Sequence, residues 1–243
     1  MTKLAFIELQ DIKKAFNRGK PNEFWAIRGI SLTIERQRVT VLKGASGSGK
    51  TTLLSLIGAL SRPTSGRVLI DGRNVSGLPE RFATRIRRET FGFVFQRFNL
   101  IDGLSVLENV MLPAYPLGRN HRQLEASALA LLRRLGLADK RDNPVERLSG
   151  GEAQRAAICR ALINDPAILI ADEPTANLDS RLSEEFLAIV EELVVDGRTV
   201  LLSSHDPLVY ESTRVHRVVE MHDGRLPEGS FNDCVLDFRQ NKC

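Results

Sequence analysis

The sequence predicts an α/β fold, with strands and helices alternating around a mostly parallel sheet. Two apolar runs, at residues 39–43 and 167–171, read as fully buried strands of the kind found in parallel sheets covered on both faces. Each run ends at a glycine-rich or acidic turn and is followed by a stretch of helical character, at 51–60 and 181–194. The 243 residues, 42% hydrophobic and 26% charged, are enough to bury the core that a two-sided sheet needs.

The remaining elements follow in order. Residues 5–9 alternate apolar and polar like a half-buried strand, as do Ile30, Leu32 and Ile34. Residues 67–70 form a strand that stops at the turn signal Asp71-Gly72. Another strand covers 91–95. From 96 to about 151 the texture changes. Residues 106–111 and 123–135 read as helices, Pro113, Pro116 and Gly118 punctuate the space between them, and no strong strand appears. Helix returns at 152–163, and strands follow at 199–203 and 217–221. No internal repeat or low-complexity segment is visible, and periodicity is weak from 226 to 243.

Composition narrows the setting. No apolar run approaches the roughly 18 residues needed to cross a bilayer, and the opening residues lack a signal-peptide core. Cys159, Cys234 and Cys243 are widely spaced and form no pair, which reads as reduced thiols. These features predict a protein made and kept in the cytosol. The net charge of +4 is dispersed. A basic surface can meet nucleic acid, anionic lipid or a phosphorylated ligand, but this spacing favours a solvated face, and no nucleic-acid partner is expected.

The strongest chemical signal is Gly44-Ala45-Ser46-Gly47-Ser48-Gly49-Lys50-Thr51, continued by Thr52. It fits the phosphate-binding pattern G-x-x-x-x-G-K-[ST] between a strand and a helix. Its glycines let successive N–H groups turn toward phosphate oxygens, and the helix adds the positive end of its dipole. Lys50 supplies a point charge for the β and γ phosphates, and the Thr51 hydroxyl suits Mg²⁺. A second signal is the strand Ile168-Leu169-Ile170-Ala171 ending in Asp172 and Glu173. At a C-terminal strand end, Asp172 can hold Mg²⁺, and Glu173 can polarise a water for attack on the γ-phosphate. The third is Leu148-Ser149-Gly150-Gly151-Glu152 at a helix start, which forms a second anion cradle.

In this order the motifs resemble the ABC ATPase family over nearly the whole chain. Residues 148–152 look like its signature motif, with Glu152 where Gln is often found. Gln96 matches the Q-loop glutamine, Asn177-Leu178-Asp179 the D-loop, and His205 the switch histidine that reaches the γ-phosphate. Phe16 sits where the family has an aromatic that stacks on adenine, and Trp25 is a competing platform. Residues 91–100 and 171–179, with Glu108-Asn109-Val110, resemble the ATPases of lipoprotein-release and macrolide-efflux systems.

The resemblance implies a P-loop NTPase (RecA-like) core at about 1–95 and 152–225. It adds an N-terminal antiparallel β part, an inserted helical subdomain at about 96–151 and a tail at about 226–243. It implies ATP and Mg²⁺ as ligands, with Thr51, Gln96 and Asp172 at the metal and Lys50, Gln96, Glu173 and His205 in catalysis. Ser149, Gly150 and Gly151 would contact the ATP of a second copy in a head-to-tail homodimer. An integral membrane permease would be the partner, and the chain would sit peripherally on the cytoplasmic face of the inner membrane. The alternative is an ABC ATPase that works a membrane protein mechanically or as a signalling partner. A nucleic-acid-associated relative fits less well, because the chain has one set of motifs and no coiled-coil or zinc insertion.

Overall fold

A computed structural model of the protein describes residues 5–176 and 178–227. Asn177, Cys234, Cys243 and most of the tail expected from 226 lie outside the described residues. The chain opens with β1 (Ala5–Phe16) and β2 (Phe24–Glu35), which pair antiparallel and are longer than their alternating segments suggest. Next come β3 (Val39–Lys43), α1 (Lys50–Ile57), β4 (Ser65–Ile70), β5 (Arg73–Asn74), α2 (Glu80–Thr90) and β6 (Phe91–Val94). The predicted helix from 51 stops three residues early. Gly58 closes it with its N–H on the Leu54 carbonyl, and Ala59 turns left-handed. Glycine is required there because a Cβ would lie 2.5 Å from the Phe93 ring.

Helix α2 was not foreseen. Its buried contribution is Ala83 alone, and Arg85–Glu89 and Glu80–Arg87 pairs stabilise its exposed face. Phe82, Ala83 and Ile86 give it a short apolar stripe at helical spacing, with Ile86 against the core of the antiparallel sheet, so the signal was present but set among charged residues.

Between β6 and the later core lie α3 (Val106–Met111), a 3-10 segment Leu112–Leu117 holding both prolines, and α4 (His121–Arg134). Ser105 caps α3 in a reciprocal box with Glu108, and Asn120 caps α4. The chain then returns through α5 (Gly150–Leu162), β7 (Ile168–Asp172), α6 (Ser180–Val195), β8 (Thr199–Ser204), α7 (Pro207–Tyr210) and β9 (Arg217–Glu220).

Two sheets result. One is antiparallel, in the order β2-β1-β4-β5. The other is parallel throughout, in the order β6-β7-β8-β3-β9. Alternate residues of the parallel sheet enter two separate cores, as a period of two requires. Val41, Leu169, Ala171, Val200 and Leu202 join α5, α6 and the helices of 106–135 on one face. Leu42, Ile168, Ile170, Leu201 and Val219 join α1 and the antiparallel sheet on the other. Each such side chain contributes about 1.5–3 kcal/mol on burial, against roughly 0–1 kcal/mol for an exposed ion pair. The two apolar layers therefore decide the fold. Because all five strands run one way, the ends of β3, β7 and β8 open on the same rim. There Lys43 pairs with Ser204, and Asp172 with Ser203.

Candidate functional site

The loop after β3 is shaped by contacts on every side but one. A Cβ at Gly44 would lie 2.4 Å from the Met221 carbonyl oxygen, and one at Gly49, where φ is 101°, would lie 2.7 Å from that of Ala26. At Gly47, also left-handed, a Cβ would meet nothing within 4 Å, so this part of the loop is open to a ligand. The turn at 222–225 locks the loop from behind. Gly224 N–H donates to Ser48 O at 3.0 Å, and the Gly224 carbonyl accepts from Arg28 N–H at 2.8 Å. Gly49 is the N-cap of α1 and gives its first turn no side-chain hydrogen bond, which leaves that positive helix end available to an anion. The Ser48 hydroxyl is buried, with no hydrogen-bond partner among the described residues.

Lys50 is 6% exposed and directs its ammonium to Gly44 O at 2.6 Å, to Ala45 O at 3.1 Å and to Glu173 Oε1 at 3.2 Å. The other carboxylate oxygen, Glu173 Oε2, lies 2.9 Å from His205 Nδ1. Glu173 thus stands between a buried cation and the 63% exposed imidazole that follows β8. Its own φ is 46°, a left-handed value unusual outside glycine. Behind it, one hydroxyl serves both acids. Ser203 Oγ accepts from Glu173 N–H at 2.9 Å and donates to Asp172 Oδ1 at 2.5 Å.

The predicted residues at 45–47 and 49–52, together with Gln96, Glu173 and His205, line one cleft of about 620 Å³. Gly44, Ser48 and Asp172 are not among the lining residues. Phe16 does not line it. The β1–β2 register sets Phe16 opposite Phe24, with the rings stacked at 5.2 Å and 19°, and it is Phe24 and Trp25 that reach the cleft. Sequence reasoning weighed Trp25 but missed Phe24, and also Arg28, Asp223 and Gly224 on the same wall. The Asp223-Gly224 dipeptide is a turn signal that could have been noted. The other residues come together only through strand pairing.

The second cradle lies elsewhere. Ser149 and Gly150 are exposed at the start of α5, and among the described residues a Cβ at Gly150 would meet nothing closer than a Leu178 methyl group at 3.8 Å. Ser149 and Glu152 form a capping box, with the Ser149 N–H on Glu152 Oε2 at 2.8 Å. The Ser149 backbone and side-chain bonds hold the Glu152 carboxyl below the usual carboxylate range. Glutamate at this position therefore performs a capping task. A Cβ at Gly151 would fall 2.6 Å from a Leu182 methyl group, so the glycine lets α5 approach α6. Farther along α5, the Gln154 amide donates to Pro174 O at 2.9 Å, and the Arg160 guanidinium donates to the carbonyls of Phe98 and Asn99. Cys159, also on α5, is buried, and burial pushes its thiol up to about 12.

Among the described residues, no helix is long and apolar enough to cross a membrane. The ABC transporter family profile matches residues 27–176. The chain is 44% identical over 226 residues to the macrolide export ATP-binding/permease protein MacB of Hyphomonas neptunium, covering 93% of this chain and 35% of that protein. It is 45% identical over 227 residues to the pyoverdine export ATP-binding/permease protein PvdT of Pseudomonas fluorescens, covering 93% and 34%. The chain therefore spans about a third of the length of these curated relatives. Among solved structures, the dimeric bacterial ABC transporter cassette MJ0796 superposes with a TM-score of 0.82 at 36% identity, over 90% of this chain and 96% of that one. A second structure of that cassette, a dimeric post-hydrolysis state bound to ADP and Pi, matches equally well. On the family profile, the relatives and a shared fold, the chain belongs to the ABC transporter family and carries its ATP-binding cassette.

Proposed function

We propose that this cassette hydrolyses ATP as a head-to-tail homodimer and drives an integral membrane permease, sitting peripherally on the cytoplasmic face of the inner membrane. The observation that carries the catalytic reading is the placement of Glu173 between Lys50 and His205 on the wall of the cleft. Lys50 and the N–H groups of the loop bind the β and γ phosphates. Glu173 takes a proton from water. The water oxygen then bonds to the γ-phosphorus, the bond to the β-bridging oxygen breaks, and ADP and phosphate leave. His205 orients Glu173 and contacts the γ-phosphate, and Gln96 faces the same cleft from the end of β6.

The residues present suit Mg²⁺, because the Thr51 hydroxyl, the Gln96 amide oxygen and the Asp172 carboxylate are all hard oxygen donors. These three would hold the ion, which neutralises charge on the β and γ phosphates. The start of α5, with Ser149 and Gly150 exposed and Gly151 buried beneath them, is read as the grip on the partner's nucleotide. Residues 96–151 are read as the helical subdomain that meets the permease beside Gln96.

The test compares Ser149→Arg with the wild type. ATP binding by the single chain is expected to persist while hydrolysis is lost, and the wild-type rate per chain is expected to rise with protein concentration. A rate independent of concentration, with an active Ser149→Arg variant, would overturn the dimer. Purification from native membranes is expected to bring the permease along, and isolation without any membrane protein would count against that partner.

A further inference from the structure

Gln96 lies in a tight turn at the end of β6. Phe98 N–H closes that turn on Phe95 O at 2.8 Å, and Asn99 N–H reaches Arg97 O at 2.6 Å. The geometry requires two consecutive left-handed residues, Phe98 at φ 56° and Asn99 at φ 50°, neither of them glycine. Such conformations persist only where the surroundings impose them. The Phe98 ring packs on the larger core, but a ring contact does not fix two peptide planes.

What meets those planes is Arg160. Two nitrogens of its guanidinium donate to the carbonyls of these same residues, one to Phe98 and one to Asn99. Burial draws this guanidinium below its usual value, and no carboxylate pairs with it among the described residues. A half-buried arginine whose bonds all go to the main chain of one turn has no evident role in charge pairing. Its rigid fork aims two separate nitrogens at two acceptors in a fixed geometry, which the single nitrogen of a lysine does not reproduce.

We infer that Arg160 is a positioning residue for Gln96, fixing the turn that presents Gln96 to the cleft and tying that turn to helix α5. This rests on the role proposed above for Gln96. The same helix begins at Ser149 and touches the loop after Glu173 through Gln154. One helix therefore links the second cradle, the acid pair and the Gln96 turn, with Arg160 near its C-terminal end.

The test uses the full chain and four forms: wild type, Arg160→Lys, Gln96→Ala and the double variant. Thermal melting first establishes that each is folded. In Arg160→Lys, hydrogen exchange of the amides at 97–100 is expected to quicken, while the rest of α5 stays as protected as in the wild type. Its kcat is expected to fall about ten- to a hundredfold, with KM for ATP within about twofold. Because both residues act through one turn, the double variant should be no slower than Gln96→Ala alone. Wild-type kcat in Arg160→Lys, unchanged exchange at 97–100, or losses that multiply in the double variant would each overturn the inference. If Gln96→Ala itself turns over normally, the role assigned to Gln96 fails and this inference falls with it. If Gln96→Ala is slow and Arg160→Lys is not, only the inference about Arg160 falls.

Discussion

Ser203 donates its hydroxyl proton to Asp172 Oδ1 at 2.5 Å. Ser203 Oγ also accepts the Glu173 N–H, and the Ser203 side chain is fully buried, so water cannot replace it. Ser203→Ala removes a few atoms but leaves a carboxylate oxygen and an amide without this partner, at about 1–3 kcal/mol. The expected result is hydrolysis reduced by about tenfold or more, with ATP affinity little changed. Steady-state ATPase kinetics beside equilibrium nucleotide binding measure both. A variant with unchanged kcat would mean that the two acids need no support from β8.

Glu173→Gln is expected to keep the shape of the site and remove the base. Hydrolysis should fall by roughly 10²–10⁴-fold while ATP binding survives. Bound ATP should then accumulate and convert the chain to a stable dimer, detected by light scattering with and without Mg-ATP. Turnover near the wild-type rate would remove Glu173 from the catalytic role.

The aromatic wall gives a prediction that separates two rings. Phe24 lines the cleft and Phe16 stacks behind it. Phe24→Ala is expected to weaken ATP binding by about tenfold, in line with roughly 1–3 kcal/mol for stacking a base on an aromatic ring. Phe16→Ala should do less, and binding of tripolyphosphate should be indifferent to both. Trp25 is the single tryptophan and lines the same cleft, so its fluorescence reports binding. A larger loss from Phe16→Ala would restore Phe16 as the platform.

Cys159 supplies a pH prediction. Its thiol is pushed up to about 12 in the folded chain, whereas an unfolded cysteine ionises near 8.5. Above pH of about 8.5 the unfolded state releases a proton that the folded state retains, so this contribution to stability declines as pH rises toward about 12. Iodoacetamide should therefore leave Cys159 unmodified in the folded protein at pH 7 to 9 and modify it on unfolding, as read by peptide mapping. Labelling in the folded state at the rate of a free thiol would contradict the packing of α5.

The phosphate loop and the two acids were legible in the sequence because their chemistry is local. A glycine pattern dictates a backbone path, and an apolar run ending in Asp172-Glu173 places charge at a strand end. The second cradle was read from its small residues at a helix start, and the resemblance to a known family then located His205 and Gln96. What stayed hidden depends on contacts between distant segments. Phe24 reaches the cleft through its register with β1, Ser203 meets Asp172 through the pairing of β7 with β8, and Gly224 supports Ser48 from more than 170 residues away. Helix α2 was missed for a different reason: its stripe of Phe82, Ala83 and Ile86 has helical spacing but is short and set among charged residues.

The order β6-β7-β8-β3-β9 has a bearing on how far the chain can be cut down. β8 is the spacer that joins the strand bearing the phosphate loop to the strand bearing the acids. A fragment ending at 176, where the family match stops, would keep both motifs and lose β8, which among the described residues is the strand that pairs with both. Lys50 and Glu173 would then belong to halves with no common edge. Nor would a stop after β8 suffice, because the brace on the loop comes from Gly224 and Met221. The phosphate loop, the second cradle and the two acids are written in the first three quarters of the sequence, but the smallest catalytic unit has to run past His205 and through 224.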